Sequence, residues 1–260
     1  MNATNAARAA LLAVAVTSVL AACTSQAAPR PVDATPTPPP TSPSSGPQVP
    51  TGPLTPTFDK SNFVSVIDNP YYPLKPGMKW VYDGTRDGVR QRDVVTVTDR
   101  TKVIDGVSTT VVTDVATAGG KVLEKTEDWF AQDRDGNVWY MGEATAAYDN
   151  GAVDTSGSWT AGVNGGQPGI IMPSKPAVTD SYRQEFLAGE AEDTSWIIDA
   201  GLKVTVPYGT VTSAIRSLEY TRLEPDVVDT KVYAPGIGIV KEASIAGPKE
   251  TADLISFTKG

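Results

Sequence analysis

The sequence contains no histidine and a single cysteine. Without histidine there is no Ser-His-Asp triad, no Cys-His dyad and no imidazole ligand for a metal. With one cysteine there is neither an intrachain disulfide nor a CxxC zinc or redox pair. Positive charge is also scarce, with 22 Lys and Arg against 30 Asp and Glu. Phosphate backbones are bound by clustered Lys and Arg, so no nucleic-acid partner is expected. No G-x-S-x-G nucleophile motif occurs, and no long stretch carries the 3.6-residue period of an amphipathic helix. Nothing that remains calls for a cofactor or a resident metal.

What is present begins with an export signal. Residues 1–22 carry Arg8 near the start and an apolar run from Ala9 to Leu20, too short for the roughly 20 residues of a bilayer span. The run ends in Leu20-Ala21-Ala22-Cys23, which resembles the bacterial lipobox. The resemblance implies cleavage before Cys23 and attachment of diacylglycerol to its sulfur, often with a third acyl chain such as palmitate. Each buried CH2 contributes roughly 0.8 kcal/mol, so two or three chains anchor durably where one does not. The expected address is the extracytoplasmic face of the cell membrane, with the lipid on Cys23 as the link to it.

Residues 23–57 are expected to form a lipidated, disordered tether. Eleven of the 21 prolines fall here, among Thr, Ser, Ala and Gly, and the only charges are Arg30 and Asp33. Such a segment has too little apolar surface to offset chain entropy. Proline at this density favours extended polyproline II, at roughly 3.1 Å per residue, giving a reach of about 100 Å.

Residues 58–260 read as one antiparallel β domain. Asp-Gly and Asn-Gly pairs recur at residues 83, 87, 105, 135, 150 and 164, with Gly119-Gly120 beside them. These pairs tolerate the positive φ of two-residue hairpin turns. The segments between are rich in β-branched and aromatic residues, and Leu202, Val204 and Val206 alternate with Lys203 and Thr205. Strands are expected at 78–83, 89–101, 107–117, 121–132, 138–141, 145–148, 180–187, 194–199, 202–206, 210–223, 227–233, 237–245 and 251–258. A short helix is expected at 59–67. Hairpin-linked strands in this number must curl or split to bury an apolar face. The fold expected is all-β, a strongly curved antiparallel meander forming a half-barrel or open barrel, with a two-sheet sandwich as the alternative.

The candidate sites are aromatic. In Asn69-Pro70-Tyr71-Tyr72-Pro73-Leu74-Lys75-Pro76-Gly77-Met78-Lys79-Trp80-Val81-Tyr82, the rings of Tyr71, Tyr72 and Trp80 could stack on a sugar or grip an acyl chain, or could instead plug one end of the sheet. Trp139 and Tyr233 complete the candidate ligand set. Four stretches, N-P-Y-x-P-L-x-P-G-x-x-W-x-Y, D-x-x-G-N-V-W-Y-x-G, M-P-x-x-P and Y-A-P-G-x-G-x-V-K-E, resemble a bacterial secreted-protein family of unknown function. Their residues here include Trp80, Tyr82, Gly136, Trp139, Tyr140, Met172, Pro173, Tyr233, Pro235, Gly236 and Gly238. The resemblance implies a β-rich fold distantly like the lipoprotein-carrier half-barrels, and it implies no catalytic residue.

Other chemistry is weakly marked. Placing Gly136 as the glycine of a calcium loop puts Ala131 and Gly142 at the two key ligand positions, so a hairpin turn is the better reading. Glu190, Glu192 and Asp193 offer a looser cation site. Glu124, Glu127, Asp128 and Glu185 are carboxylates that could pair for glycoside chemistry, but in so acidic a domain pairing is also expected by chance. The function expected is therefore non-enzymatic: a lipid-anchored protein that binds an apolar or amphiphilic ligand, a lipid or glycolipid, on a concave sheet face. The alternatives are an envelope interaction or scaffold protein without a small ligand, and a histidine-independent hydrolase.

Overall fold

A computed structural model describes residues 57–260. The export signal, Cys23 and the tether up to residue 56 lie outside the described residues. The strands, in chain order, are β1 (Phe63–Val64), β2 (Lys79–Arg86), β3 (Val89–Ile104), β4 (Val107–Ala118), β5 (Lys121–Asp133), β6 (Val138–Asp149), β7 (Ala152–Asp154) and β8 (Trp159–Thr160). They continue as β9 (Gln167–Met172), β10 (Ser181–Arg183), β11 (Glu185–Phe186), β12 (Asp193–Val206), β13 (Gly209–Thr221), β14 (Val228–Ala234), β15 (Gly238–Ala246) and β16 (Glu250–Thr258). All pairings are antiparallel. The sheet runs β10-β12-β13-β14-β15-β16-β2-β3-β4-β5-β6-β9-β11, which curls into a nearly closed barrel with one seam. The expected all-β meander is thus present, closed further than a half-barrel.

Turn chemistry explains four of the hairpins. Asp87-Gly88, Asp105-Gly106, Gly119-Gly120 and Asn150-Gly151 have positive φ at both residues, as a two-residue turn matched to strand twist requires. Asp83-Gly84, expected as a turn, lies instead within β2. A Cβ at Gly84 would sit 1.7 Å from the Thr251 carbonyl oxygen, so glycine here permits the close approach of β16. The helix expected at 59–67 is only a 3-10 turn, Lys60–Asn62, capped by Asp59 and followed by β1. Five residues suffice to carry this segment into pairing with β5, so no amphipathic face is needed.

Two expected strand breaks are bulges in continuous strands. β6 runs through Gly142, whose φ is +132 and whose Cβ would meet the Trp159 carbonyl oxygen at 2.4 Å. β12 runs through 199–202 with register shifts at Ile197, Asp199 and Leu202. The reverse error occurs at 180–187, expected as one strand. The chain there changes partner: β10 pairs with β12, the Gln184 N–H donates to Asp193 O at 2.8 Å, and β11 pairs with β9 through Glu185↔Pro168 and Phe186↔Gln167. This strap closes the seam. β9 itself and the short strands β7 and β8 carried no alternation strong enough to be expected.

Because directly opposed residues face the same side, the registers define the interior. One inner row is Trp80, Val95, Asp114, Thr126 and Thr145. Another is Val97, Val112, Asp128, Glu143 and Trp159. Across the barrel, Ile197, Ser217, Lys231, Glu242, Ala252 and Gly84 form a third. Residues 67–78 fold under one end, where Tyr72 packs on Phe130 at 5.4 Å and on Tyr233 at 6.3 Å between ring centroids. That end is aromatic and aliphatic. The remaining inner wall mixes apolar residues such as Ile197 with many polar and acidic ones.

Candidate functional site

The plugged end is tied together by the very stretches that carry the sequence signature. Asn69, 2% exposed, accepts from the Tyr71 N–H and donates through Nδ2 to Gly136 O at 2.9 Å and Pro173 O at 3.0 Å. One amide side chain thereby joins three of the four signature stretches. The fourth is joined by the Gly236 N–H, which donates to Pro70 O at 2.7 Å. The Trp80 indole N–H donates to Ile237 O, and the Tyr82 hydroxyl donates to Ile239 O. Gln132 Oε1 accepts from the Asp68 and Asn69 N–H groups. Each of these bonds satisfies a group that burial would otherwise leave costly.

Beside this hub, along the seam, lies a groove of about 420 Å³. Phe63, Trp139, Ile170 and Tyr182 supply its apolar surface. Phe58, Phe63 and Trp139 form a three-ring cluster with centroids 5.5–5.9 Å apart. Asp59, Asn62, Asp135, Asn137 and Asp180 supply polar groups around it. The loop 133–137 is shaped by Asp133, whose carboxylate accepts from the Asn137 N–H, from Asn137 Nδ2 and from the Trp139 indole N–H, the last at 2.8 Å. Asp133 therefore orients Trp139 and holds the 133–137 turn. The Ser61 N–H and hydroxyl hold the Asp59 carboxyl below its ordinary value.

The five candidate ligand residues do not share one site. Tyr72, Trp80 and Tyr233 are buried at the plugged end. Tyr72 and Trp80 border a space of about 30 Å³, room for a water molecule. Tyr71 is half-buried, and its hydroxyl donates to Ser213 O. Trp139 is on the opposite face of the sheet, in the groove, and is the one member placed there.

The polar inner wall carries carboxyl groups from β3, β4, β5, β6, β11, β13 and β15. Asp93, Asp114, Glu124, Asp128, Glu143, Glu185, Glu219 and Glu242 are all buried. Lys231, 3% exposed, faces them, 2.8 Å from Glu219. Burial pushes Asp93 up to about 8, with Glu250 and Glu124 adding to it. Asp128 is pushed up to about 7 by burial, against the Tyr140 hydroxyl that donates to it at 2.7 Å. Asp114, Glu143, Glu185 and Glu242 are raised well above the ordinary carboxylate range, again chiefly by burial. Burial opposes the charge on Lys231, yet Glu219 and Glu242 hold its ammonium above the ordinary value. Neither oxygen of Asp114 has a hydrogen-bond partner among the described residues. Among those residues no three carboxylates are grouped to hold a metal ion.

Of the carboxylates considered for pairing, Glu124, Asp128 and Glu185 belong to this inner set, whereas Glu127 faces outward and pairs with Arg100 at 2.8 Å. Glu190, Glu192 and Asp193 do not converge: Glu192 accepts from the Gly189 N–H and pairs with Arg222, and Asp193 lies opposite Thr221 with burial raising it to about 7. The groove went unread in the sequence, and of the inner acids only Glu124, Asp128 and Glu185 were singled out, as carboxylates that could pair. The one available signal was acids at alternate strand positions among apolar ones, as in Asp93-Val94-Val95 and Glu124-Lys125-Thr126-Glu127-Asp128.

No protein-family model and no curated protein matches the chain. Two solved structures are similar to it. One is a candidate exported protein with a YmcC-like fold from Bacteroides fragilis, 14% identical, with a TM-score of 0.41, over 76% of this chain and 100% of that one. The other is a candidate lipoprotein from Parabacteroides distasonis, 13% identical, with a TM-score of 0.39, over 76% of this chain and 99% of that one.

Proposed function

We propose that this is a lipid-anchored lipoprotein of the extracytoplasmic membrane face that binds, without transforming, an amphiphile bearing a sugar headgroup. The address rests on Leu20-Ala21-Ala22-Cys23 behind a short apolar run, the acyl chains on Cys23 being the link to the membrane. The observation that carries the binding reading is the groove. Aromatic surface beside carboxylates and side-chain amides fits a ligand with an apolar ring face and an edge of hydroxyls, because amides both donate to and accept from hydroxyls while carboxylates accept from them. The inner wall supports the move of the site to the outside of the barrel, since a hydrocarbon chain drawn inward would meet buried carboxyl groups. Binding rather than glycoside hydrolysis is favoured by proton placement. Hydrolysis requires an acid kept protonated near neutrality beside the bound sugar. The carboxyls that burial raises, Asp93, Asp128 and Glu143 among them, face the barrel interior, and Asp59 at the groove is held ionised.

Two measurements test this. Intact-mass analysis of the membrane-extracted chain is expected to show residues 1–22 removed and a diacylglyceryl mass increment that Cys23→Ser abolishes. In the unacylated Cys23→Ser chain, dodecyl maltoside is expected to change tryptophan emission, and Asp135→Asn combined with Asp180→Asn to weaken that response about tenfold. An equal response to dodecylphosphocholine, which has the same tail and no sugar, would remove the headgroup reading. No response to either would favour a scaffold role.

A further inference from the structure

The seam joins two features otherwise treated apart, the weakest stretch of the barrel wall and its densest group of buried acids. β9 and β12 are held together only through the strap 181–187, by three residue pairs on one side and two on the other, with the Gln184 N–H between them. Elsewhere ladders such as β12–β13 and β3–β4 have ten residue pairs each, while β15–β16 and β6–β9 have three and β9–β11 in the strap has two. Glu185 sits on the strap itself, 3% exposed. It faces Asp193 of β12, Trp159 of β8, Asp128 of β5 and Lys231 of β14. Glu143 of β6 faces Glu185 from the far side of the seam, together with Asp128, Glu124 and Asp193. Asp193 in turn faces Lys231, Glu219, Thr221 and Glu224. The Arg183 guanidinium lies outside this set, over the Phe186 ring and donating to Gln167 Oε1. One buried ammonium, already paired with Glu219, is thus the cation that Glu185 and Asp193 share, and Glu143 faces only other carboxyls.

We infer that the seam is a pH-sensitive strap: with Glu143, Glu185 and Asp193 protonated the strap is held against both edges, and their ionisation drives it off and opens the barrel at the groove. The geometry requires this order of events. Like charges brought together in a dry interior repel several times more strongly than in water, and the repulsion falls on the part of the wall with fewest main-chain bonds. Burial raises the pKa of all three groups, which keeps them protonated as the surroundings approach neutrality, Asp193 to about 7. Opening also reaches the groove, because Ile170 of β9 and Ser181 and Tyr182 of β10 line it from the two sides of the seam.

Amide hydrogen exchange of the full chain at pH 6 and pH 8, corrected for intrinsic exchange rates, tests the inference. The opening constant of residues 184–187 is expected to rise at least tenfold relative to residues 111–115 of β4, since each proton released on opening contributes about tenfold per pH unit. Glu185→Gln, alone or with Glu143→Gln, is expected to reduce that ratio to near one while leaving β4 unchanged. An unchanged ratio in the natural chain would overturn the inference. So would an equal rise in both segments, which reports loosening of the whole barrel. The natural chain alone decides the question if the variants do not fold.

Discussion

The two ends of the barrel are built by one rule and differ in chemistry. Both alternate inward and outward residues along the same strands, so that β4 presents Val112 to the aromatic end and Asp114 to the acidic half two residues later. At the plugged end, polar atoms are few and satisfied: Trp80, Tyr82 and Asn69 each spend their hydrogen-bonding groups on a named carbonyl. In the acidic half, polar atoms are many, and several have no partner among the described residues, including both oxygens of Asp114 and one each of Asp93, Asp128 and Glu242. One end concentrates stabilising interactions. The other holds groups that cost free energy and persist because the rest of the sheet fixes them. Function is more economically sought where the fold tolerates cost.

The sharpest break in this comparison lies inside the acidic half. Glu219 is its satisfied member: Lys231 pairs with it, and the Ser217 and Tyr233 hydroxyls donate to it at 2.8 and 3.0 Å. Glu219→Gln leaves a fully buried ammonium without its main counter-charge. The expected loss is about 3–5 kcal/mol in urea unfolding, the scale for breaking a buried pair from one side. Next in size is Asn69→Ala at the other end. It strands the carbonyls of Gly136 and Pro173 and the N–H of Tyr71, for about 2–4 kcal/mol. A loss below about 1 kcal/mol would mean that the signature residues are not the hub their contacts describe.

The two halves also respond differently to pH. A carboxyl raised in the folded state stabilises fully below its unfolded value, near 4, and that stability is lost as pH rises toward the folded value. Asp128 and Asp193, at about 7, and Asp93, at about 8, set the window at roughly pH 4 to 8. Within it the slope is about 1.4 kcal/mol per pH unit for each proton that the folded state retains and the unfolded state has lost. Asp59, Asp83 and Glu192 are shifted the opposite way, but they lie near the surface, and their effect is confined to more acidic conditions. Melting temperature is therefore expected to fall from pH 5 to pH 8. A rise over that range would mean that the inner acids are ionised and compensated.

How much of this was legible in the sequence follows from what period-two patterns encode. The pairs Asp87-Gly88, Asp105-Gly106 and Asn150-Gly151 announce hairpins because few other dipeptides adopt two positive φ values, and strand count and curvature follow from them. The plug was open to reading in Asn69-Pro70-Tyr71-Tyr72 as one of two options. Asp83-Gly84 misled, because a glycine that admits a neighbouring backbone and one that turns look identical until the partner strand is known. The seam was hidden because nothing within residues 180–187 marks a change of partner, and only the fold assigns their halves to different strands. Most of the inner acids were missed because alternation tells which residues share a face, not which face is buried. Asp114 and Thr126 could as well have been a solvated stripe.

Asp114 offers the finest test of that ambiguity. It lies between Val95 and Thr126 in an inner row, 3% exposed, and faces Asp93, Asp128, Glu124 and Glu242 with no hydrogen-bond donor among the described residues on either oxygen. Asp114→Asn keeps the shape and removes the ionisable proton. At pH 5 the folded protein holds Asp114 protonated, so an amide in its place changes little. At pH 8 the natural chain bears the cost of keeping that proton or of burying the charge, and the amide bears neither. The variant is therefore expected to gain about 1 kcal/mol at pH 8 and much less at pH 5, measured by urea unfolding. A stabilising polar-to-polar change deep in a protein is unusual, since most core substitutions destabilise. It follows here because the residue replaced is one that the acidic half accommodates rather than uses for support. Destabilisation at both pH values would instead place Asp114 among the satisfied groups, bound to a cation or water, and the contrast between the two ends would narrow to one of residue type alone.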